Sequence, residues 1–359
     1  MLPLPHSIAI AFLIIAHLSL AQRDSTVSSK RSLLFYPVGF YTPETGIGGG
    51  FASSFNFFTK KENPKQTASN IQLGIAYTER QQLGIYLPFD IYFNERKNQV
   101  SGELGYYDYI FYYFGVVGNE AVPREYFYSR TPRFRGQYTR KLYNNIFTGF
   151  KGWFDDFRIY DYSERSELRQ SNRKDKSGGI GVGPGLFLLY DSRNHIAAPD
   201  SGWYIEPSFH HYTNQLERSF GFDRYRMDIR YFLPIGKAVL ANQVFSEIIT
   251  GDVPFFQMTG LGGSRRFRGY WEGQYRGNSL MLIQSEWRHF PFKRWGYTIF
   301  GGIASVGNDN APLFSQKNHS AFGFGLRYKF DIQKRVHLRL DAAFGQNSPT
   351  FYFTIGEAF

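Results

Sequence analysis

Between Ala321 and Phe330 the chain reads AFGFGLRYKF, with Phe322, Phe324, Leu326, Tyr328 and Phe330 at every second position and Gly323, Gly325, Arg327 and Lys329 between them. A period of two puts successive side chains on opposite faces of a pleated strand, so this segment has one apolar and one polar face. The pattern recurs along the chain. Val336, Leu338, Leu340, Ala342 and Phe344 oppose His337, Arg339, Asp341 and Ala343; Met227, Ile229, Tyr231 and Leu233 oppose Arg226, Asp228 and Arg230. Ile71, Leu73, Ile75 and Tyr77 oppose Gln72, Gly74, Ala76 and Thr78 in the same way. Alternation alone suits a soluble sandwich as well as a membrane barrel. The segments are long enough to tilt across a bilayer, and their aromatic residues crowd toward the strand ends, where the girdles of a transmembrane barrel sit. Closure into a barrel pairs every backbone group and leaves no edge in lipid.

Composition and the N-terminus favour the barrel. Aromatic residues make up 19% of the chain, with 26 Tyr and 37 Phe, yet 20% is charged and the mean hydropathy is -0.37. That aromatic excess without net hydrophobicity is unusual for a soluble domain. The apolar run from Ile8 to Leu20, closing on Ser19-Leu20-Ala21, reads as a secretory signal cleaved after Ala21, and it falls short of the ~20 residues a spanning helix needs. Cys is 0, which excludes a disulfide framework, a thiolate metal site and a lipidated cysteine. A net charge of +11 on an exported chain points to anionic lipid headgroups such as those of lipopolysaccharide, and not to nucleic acid.

The periodicity predicts an all-β, antiparallel transmembrane barrel of about 16 strands in the bacterial outer membrane. The strands fall near 33-40, 45-58, 68-79, 82-93, 98-109, 126-142, 144-161, 177-191, 201-213, 221-234, 236-249, 278-290, 294-306, 319-331, 334-346 and 349-358. Tight connections at 141-145, 233-237 and 330-335 suit periplasmic turns. Long ones at 110-125, 161-177, 250-277 and 306-319 all follow odd-numbered strands and face outward. Residues 1-21 are then the signal, 22-32 a short periplasmic segment and 33-359 the barrel. The charged runs SERSELRQSNRKDKS from Ser163 and KKENPK from Lys60 read as solvated connections, and the glycines from Gly178 to Gly185 as an inward face kept small for packing.

The sixth outward connection holds the least regular stretch of the chain, GLGGSRRFRGYWEGQYRGN from Gly260 to Asn278. Its Phe267-Arg268-Gly269-Tyr270 resembles the signature of the BamA/TamA-type outer-membrane assembly and translocation superfamily, the bacterial surface antigen class. Leu261-Gly262-Gly263 ahead of it, Arg276-Gly277-Asn278 behind it and Glu286-Trp287-Arg288 on the next strand match the same family. So do Gly323-Phe324-Gly325-Leu326-Arg327, Asp191-Ser192-Arg193 with Pro199 and Gly202, and the terminal Phe359. The resemblance covers the barrel from about Leu33 onward. It implies that the loop folds back into the lumen, where inward-facing acidic residues hold Arg268; Glu286 is the first expected partner, with Arg288, Asp228 and Asp341 as further candidates on the inward face. Gly302 stands where the family carries an aspartate in a Phe-x-Asp-x-Gly pattern, which puts more of the anchoring on Glu286. Such proteins carry polypeptide-transport-associated (POTRA) domains, or in a related branch a patatin-like lipase, before the barrel, and the short 22-32 segment is expected to hold neither.

No His-Glu-x-x-His helix, phosphate loop or Gly-x-Ser-x-Gly elbow occurs. An outer-membrane hydrolase would have to draw on strand-borne groups such as His289 near Ser285 and Glu286, or His210 and His211, and nothing in the sequence selects a pair. The expectation is a protein without enzymatic activity, metal or cofactor. The resemblance implies help with insertion or translocation of protein or lipid, through a seam between the first and last strands, with a periplasmic partner supplying the missing modules. Two other readings stay open: a passive channel, and a structural or partner-binding barrel, including one paired with a second copy of itself.

Overall fold

The computed structural model describes residues 31–59, 68–94, 97–116, 124–308, 318–332, 335–346 and 349–359. The signal at 1-21, the KKENPK run and all of the 22-32 segment except Arg31 and Ser32 lie outside them. Sixteen antiparallel strands close into one barrel. They are β1 (Arg31–Thr42), β2 (Gly46–Phe57), β3 (Ser69–Thr78), β4 (Leu83–Phe93), β5 (Asn98–Tyr113), β6 (Glu125–Tyr143), β7 (Ile146–Tyr162), β8 (Gly178–Asp191), β9 (Gly202–Tyr212), β10 (Phe222–Ile235), β11 (Ala238–Gly251), β12 (Ser279–His289), β13 (Trp295–Gly307), β14 (Asn318–Asp331), β15 (Val336–Phe344) and β16 (Pro349–Ile355). Each pairs with its sequence neighbour, and β1 meets β16.

The period of two has the expected consequence. Phe322, Phe324 and Leu326 of β14 are more than half exposed on the outer face, whereas Arg327 on the inner face is fully buried. Aromatic pairs mark both rims: Trp203 stacks on Tyr231 and Trp295 packs on Tyr328 at the end with the short turns, and Tyr126, Tyr128 and Tyr160 cluster at the other. The inward glycines of β8 leave room for aromatic rings, since a side chain at Gly183 would collide with Tyr212 and one at Gly179 with Phe220. No helix among the described residues is long and apolar enough to cross a membrane.

Three departures from the sequence reading have local causes. β5 runs on to Tyr113 because its far end pairs with the start of β6, where Tyr113 faces Glu125. The run from Ser163 is only partly solvated. Glu125 accepts the backbone N–H groups of Glu167 and Leu168 at 2.8 and 2.9 Å, Leu168 joins an aromatic cluster over the lumen, and buried Asp175 accepts from the Phe255 backbone at 2.5 Å. The last strand stops at Ile355, three residues early. Gly356 adopts φ +82°, a left-handed conformation that glycine takes without steric cost, and the chain turns inward. Ala358 and Phe359 are then buried against Phe232 and Ala241.

That early stop leaves the closing seam thin. β1 and β2 are paired from Arg31↔Phe57 to Thr42↔Gly46, but between β1 and β16 the described residues show one registered pair, Tyr41↔Phe353. The lower part of β1 is exposed on both faces, Leu33 at 55%, Leu34 at 49% and Phe35 at 75%.

Candidate functional site

Residues 252–278 run inward from the rim and pack against lumenal side chains. Phe255 and Phe256 enter an aromatic cluster with Phe127, Phe157 and Tyr212. The chain then forms a small hairpin, Thr259–Leu261 paired with Tyr275–Gly277, around a one-turn helix at Gly263–Arg266. The tip of this hairpin carries Phe267, Arg268, Gly269 and Tyr270, all buried.

Each of the four has a distinct contact. Phe267 stacks on Tyr270 at 5.6 Å within a cluster formed by Leu280, Leu282, Ala304 and Val306. Arg268 donates to Glu286 Oε2 at 2.5 Å and to Asp341 Oδ2 at 2.7 Å, and its guanidinium lies 3.4 Å from the Phe300 ring centre. Gly269 has φ +106° and lies so close to the wall that a Cβ would sit 3.0 Å from the Gly345 nitrogen; its N–H donates to Thr350 Oγ1 at 3.1 Å. Tyr270 donates through its hydroxyl to the Ser320 carbonyl at 2.7 Å, and its own carbonyl accepts from the Tyr352 hydroxyl at 3.2 Å.

The carboxylates that receive Arg268 are shared. Glu286 Oε1 also accepts from Arg327 at 3.0 Å and Arg288 at 3.2 Å. Asp341 Oδ1 accepts from Arg327 at 2.6 Å, and Arg339 lies 3.4 Å from Oδ2. Glu357, brought inward by the turn at Gly356, takes Arg327 at 3.1 Å and His337 at 2.6 Å, while Arg288 reaches the Phe359 carbonyl. Burial alone would raise the Glu357 carboxyl, but Arg327 and Arg288 hold it well below the usual carboxylate range. Four arginines and three carboxylates thus bind β12, β14, β15, the loop tip and the C-terminal tail into one buried network. Such a lattice of forked, charge-assisted bonds is geometrically demanding, and removing any member leaves charge uncompensated.

Of the residues expected from sequence, Glu286, Asp341 and Arg288 are brought together with Arg268. Asp228 is not: Arg230, two residues along β10, holds it at 2.6 Å, and Gln243 donates to it at 2.9 Å. Gly302 offers Arg268 no carboxylate, and Arg268 instead lies over the Phe300 ring and donates to Asp341 from β15. Sequence reasoning missed Glu357, Arg327 and Arg339 as members. Two signals were available, a glutamate in the outward row of an otherwise lipid-facing strand, and neighbouring inward arginines on β14 and β15, which the register pairs as Arg327↔Arg339. The candidate hydrolase group is split by the wall. Glu286 lies on the inner face, whereas Ser285 bonds to Asn242 and His289 packs on Tyr297 on the outer one. His210 is buried in the lumen against Trp153, and His211 faces outward to Asp223.

The loop also reaches across the seam. While Thr350 and Tyr352 of β16 hold Gly269 and Tyr270, the Glu272 N–H donates to Glu44 Oε1 at 3.1 Å in the turn between β1 and β2. Burial, with Glu44 beside it, pushes Glu272 up to about 8 despite the opposing pull of Arg276, Arg266 and Arg133. Burial raises Glu44 in the same direction.

No family model matches the chain, and no curated protein matches it in sequence. Solved structures do match the fold. The BamA structure from Haemophilus ducreyi lacking POTRA domains 1-3 superposes with a TM-score of 0.64 at 14% identity, over 91% of this chain and 70% of that one. CdiB from Escherichia coli gives 0.61 at 12% identity over 90% and 62%, and CdiB from Acinetobacter baumannii 0.57 at 11% over 91% and 59%. This chain therefore spans about six-tenths of either CdiB chain, and the likeness is one of fold.

Proposed function

We propose that this protein is an outer-membrane barrel that assists the insertion or translocation of polypeptide or lipid, with the seam between β1 and β16 as the part that moves. The observation that carries this reading is the contrast between one registered pair at the seam and the buried arginine–carboxylate network on the strands beside it. Among the described residues the edge of β1 that faces β16 has no registered partner from Arg31 to Phe40, and such an edge is a template on which an extended segment can add by strand pairing. The network fixes the opposite side of the opening, so separation there need not disturb the rest of the wall. The likeness in fold to BamA and CdiB supports the same reading, as does the basic balance, which suits contact with anionic headgroups of lipopolysaccharide. A periplasmic partner would bring clients to the lower rim. A passive channel fits less well, because the loop and tail fill the lumen with buried side chains.

Because the chain contains no cysteine, a disulfide across the seam can be introduced without background. Tyr41→Cys with Phe353→Cys should cross-link. In liposomes, the oxidised barrel should lose its ability to speed insertion of an unfolded outer-membrane barrel client, and a reductant should restore it. Equal activity of the oxidised and reduced forms would rule out the seam as the moving part. Steady conductance with no effect on client insertion would favour the channel.

A further inference from the structure

Between the β5–β7 wall and the loop lies a second feature that the network around Arg268 does not use. It is a cavity of about 80 Å³, bordered by five arginines, Arg133, Arg135, Arg265, Arg266 and Arg276, and three carboxylates, Asp155, Glu44 and Glu272. That volume is enough for several waters or one tetrahedral anion. Asp155 is committed to the wall, where it accepts from Arg133 at 2.9 Å and from Arg135 Nη2. Among the described residues the Nε and Nη1 groups of Arg135 nonetheless have no hydrogen-bond partner, although its side chain is only 3% exposed. The buried Ser264 hydroxyl on the cavity wall also lacks one.

The loop adds three arginines to the cavity against one carboxyl, that of Glu272. Among the described residues Arg265 makes no hydrogen bond or ion pair. Among the described residues Arg266 reaches only the Gly260 carbonyl at 3.4 Å and the Phe245 ring, and Arg276 only the Gly273 carbonyl at 3.1 Å. The Glu272 backbone N–H donates to Glu44 Oε1, and burial raises both carboxyls, with Glu44 adding to the rise at Glu272. A guanidinium withdrawn from water without an anion is costly, and water solvates it without neutralising it.

We propose that this cavity binds a phosphate-type oxyanion, received by an unpartnered N–H group of Arg135, the Ser264 hydroxyl and the guanidinium groups of Arg265, Arg266 and Arg276. Forked guanidinium groups match the oxygen spacing of such anions. The anion bridges wall and loop, and so fastens the loop independently of Arg268. It can come from free inorganic phosphate or from a phosphorylated lipid headgroup.

The full chain, purified in uncharged detergent and phosphate-free buffer, is titrated calorimetrically with inorganic phosphate and separately with phosphatidylglycerol micelles, with chloride at equal ionic strength as control. Saturable phosphate binding is expected, with a rise in unfolding temperature that chloride does not reproduce. Arg265→Gln combined with Arg276→Gln should weaken it by about tenfold or more, as the loss of charge-assisted bonds requires, without lowering the phosphate-free unfolding temperature. Saturation by phosphatidylglycerol alone, equally lost in the variant, would assign the site to a headgroup. If neither phosphate source binds or stabilises beyond chloride, or if the variant binds as the parent does, the proposal is wrong. Should the variant fail to fold, the comparison of phosphate with chloride on the parent chain still decides.

Discussion

The two walls that meet at the seam are built from different chemistry. On the N-terminal side, the lumenal face of β1–β4 carries amides and hydroxyls beside Val38, Phe40 and Tyr86: Asn70 donates to Ser54 at 2.7 Å and to Asn56 at 2.8 Å, and Gln72 donates to Asn70 at 2.7 Å. Among the described residues no ion pair joins these strands. On the C-terminal side, β12, β14 and β15 carry Glu286, Arg288, Arg327, Arg339 and Asp341, tied to the loop through Arg268 and to the tail through Glu357. Neutral hydrogen bonds exchange readily with water, whereas a buried ionic lattice has one low-energy arrangement and penalises any partial opening. The difference teaches where such a barrel is free to give way: at the neutral edge, with the charged wall as its fixed frame.

That contrast can be broken by substitution. Glu286→Gln has the largest expected effect, because three arginines lose a carboxylate at once; a loss at the upper end of about 3–5 kcal/mol is expected, read as a lower unfolding midpoint in detergent. Arg268→Ala should cost less, about 3 kcal/mol, since Arg327 remains on both Glu286 and Asp341. The double variant should fall short of the sum, because the two residues share one bond; strict additivity would show that they act separately. Arg268→Lys should not restore stability, because an ammonium cannot bridge two carboxylates as the planar fork does. Tyr270→Phe removes one hydroxyl donor to the Ser320 carbonyl and should cost about 1 kcal/mol, with the hairpin otherwise in place.

A further effect is the dependence on pH where the loop touches the N-terminal edge. Glu272, facing Glu44, Arg276, Arg266 and Arg133, is raised from an ordinary 4.5 to about 8 in the folded protein. The folded form therefore holds its proton more tightly than the unfolded chain. Its stabilisation is complete below pH 4.5 and is lost as the pH climbs through 8. The unfolding midpoint should decline across that window, and Glu272→Gln should flatten the decline; an unchanged slope in the variant would remove Glu272 from the account.

Much of this contrast was legible in the sequence, for a physical reason. A strand between lipid and lumen must alternate, so Phe322, Phe324 and Leu326 announce one face and Arg327 the other, and the register follows from tight turns. The loop tip was legible through Phe267-Arg268-Gly269-Tyr270 and Glu286. What could not be read was pairing between side chains from distant strands. Asp228 and Asp341 look alike in a pattern of period two, and only the fold shows that Asp228 is held by Arg230 on its own strand while Asp341 lies under the loop tip and takes Arg268. The end of β16 was hidden because its apolar alternation runs on to Ile355, and the inward turn rests on Gly356 with Glu357 in the outer row, a single irregularity in a regular strand.

Hydrogen exchange on the intact barrel in detergent tests the central claim most directly, by comparing the amides of β1 from Arg31 to Phe40 with those of β12 from Ser279 to His289. The account predicts rapid exchange along β1 on the side facing β16, with protection beginning near Tyr41, and slow exchange throughout β12 that accelerates in Glu286→Gln. Equal protection of the two strands would mean that the seam is as firmly closed as the braced wall, and would contradict it.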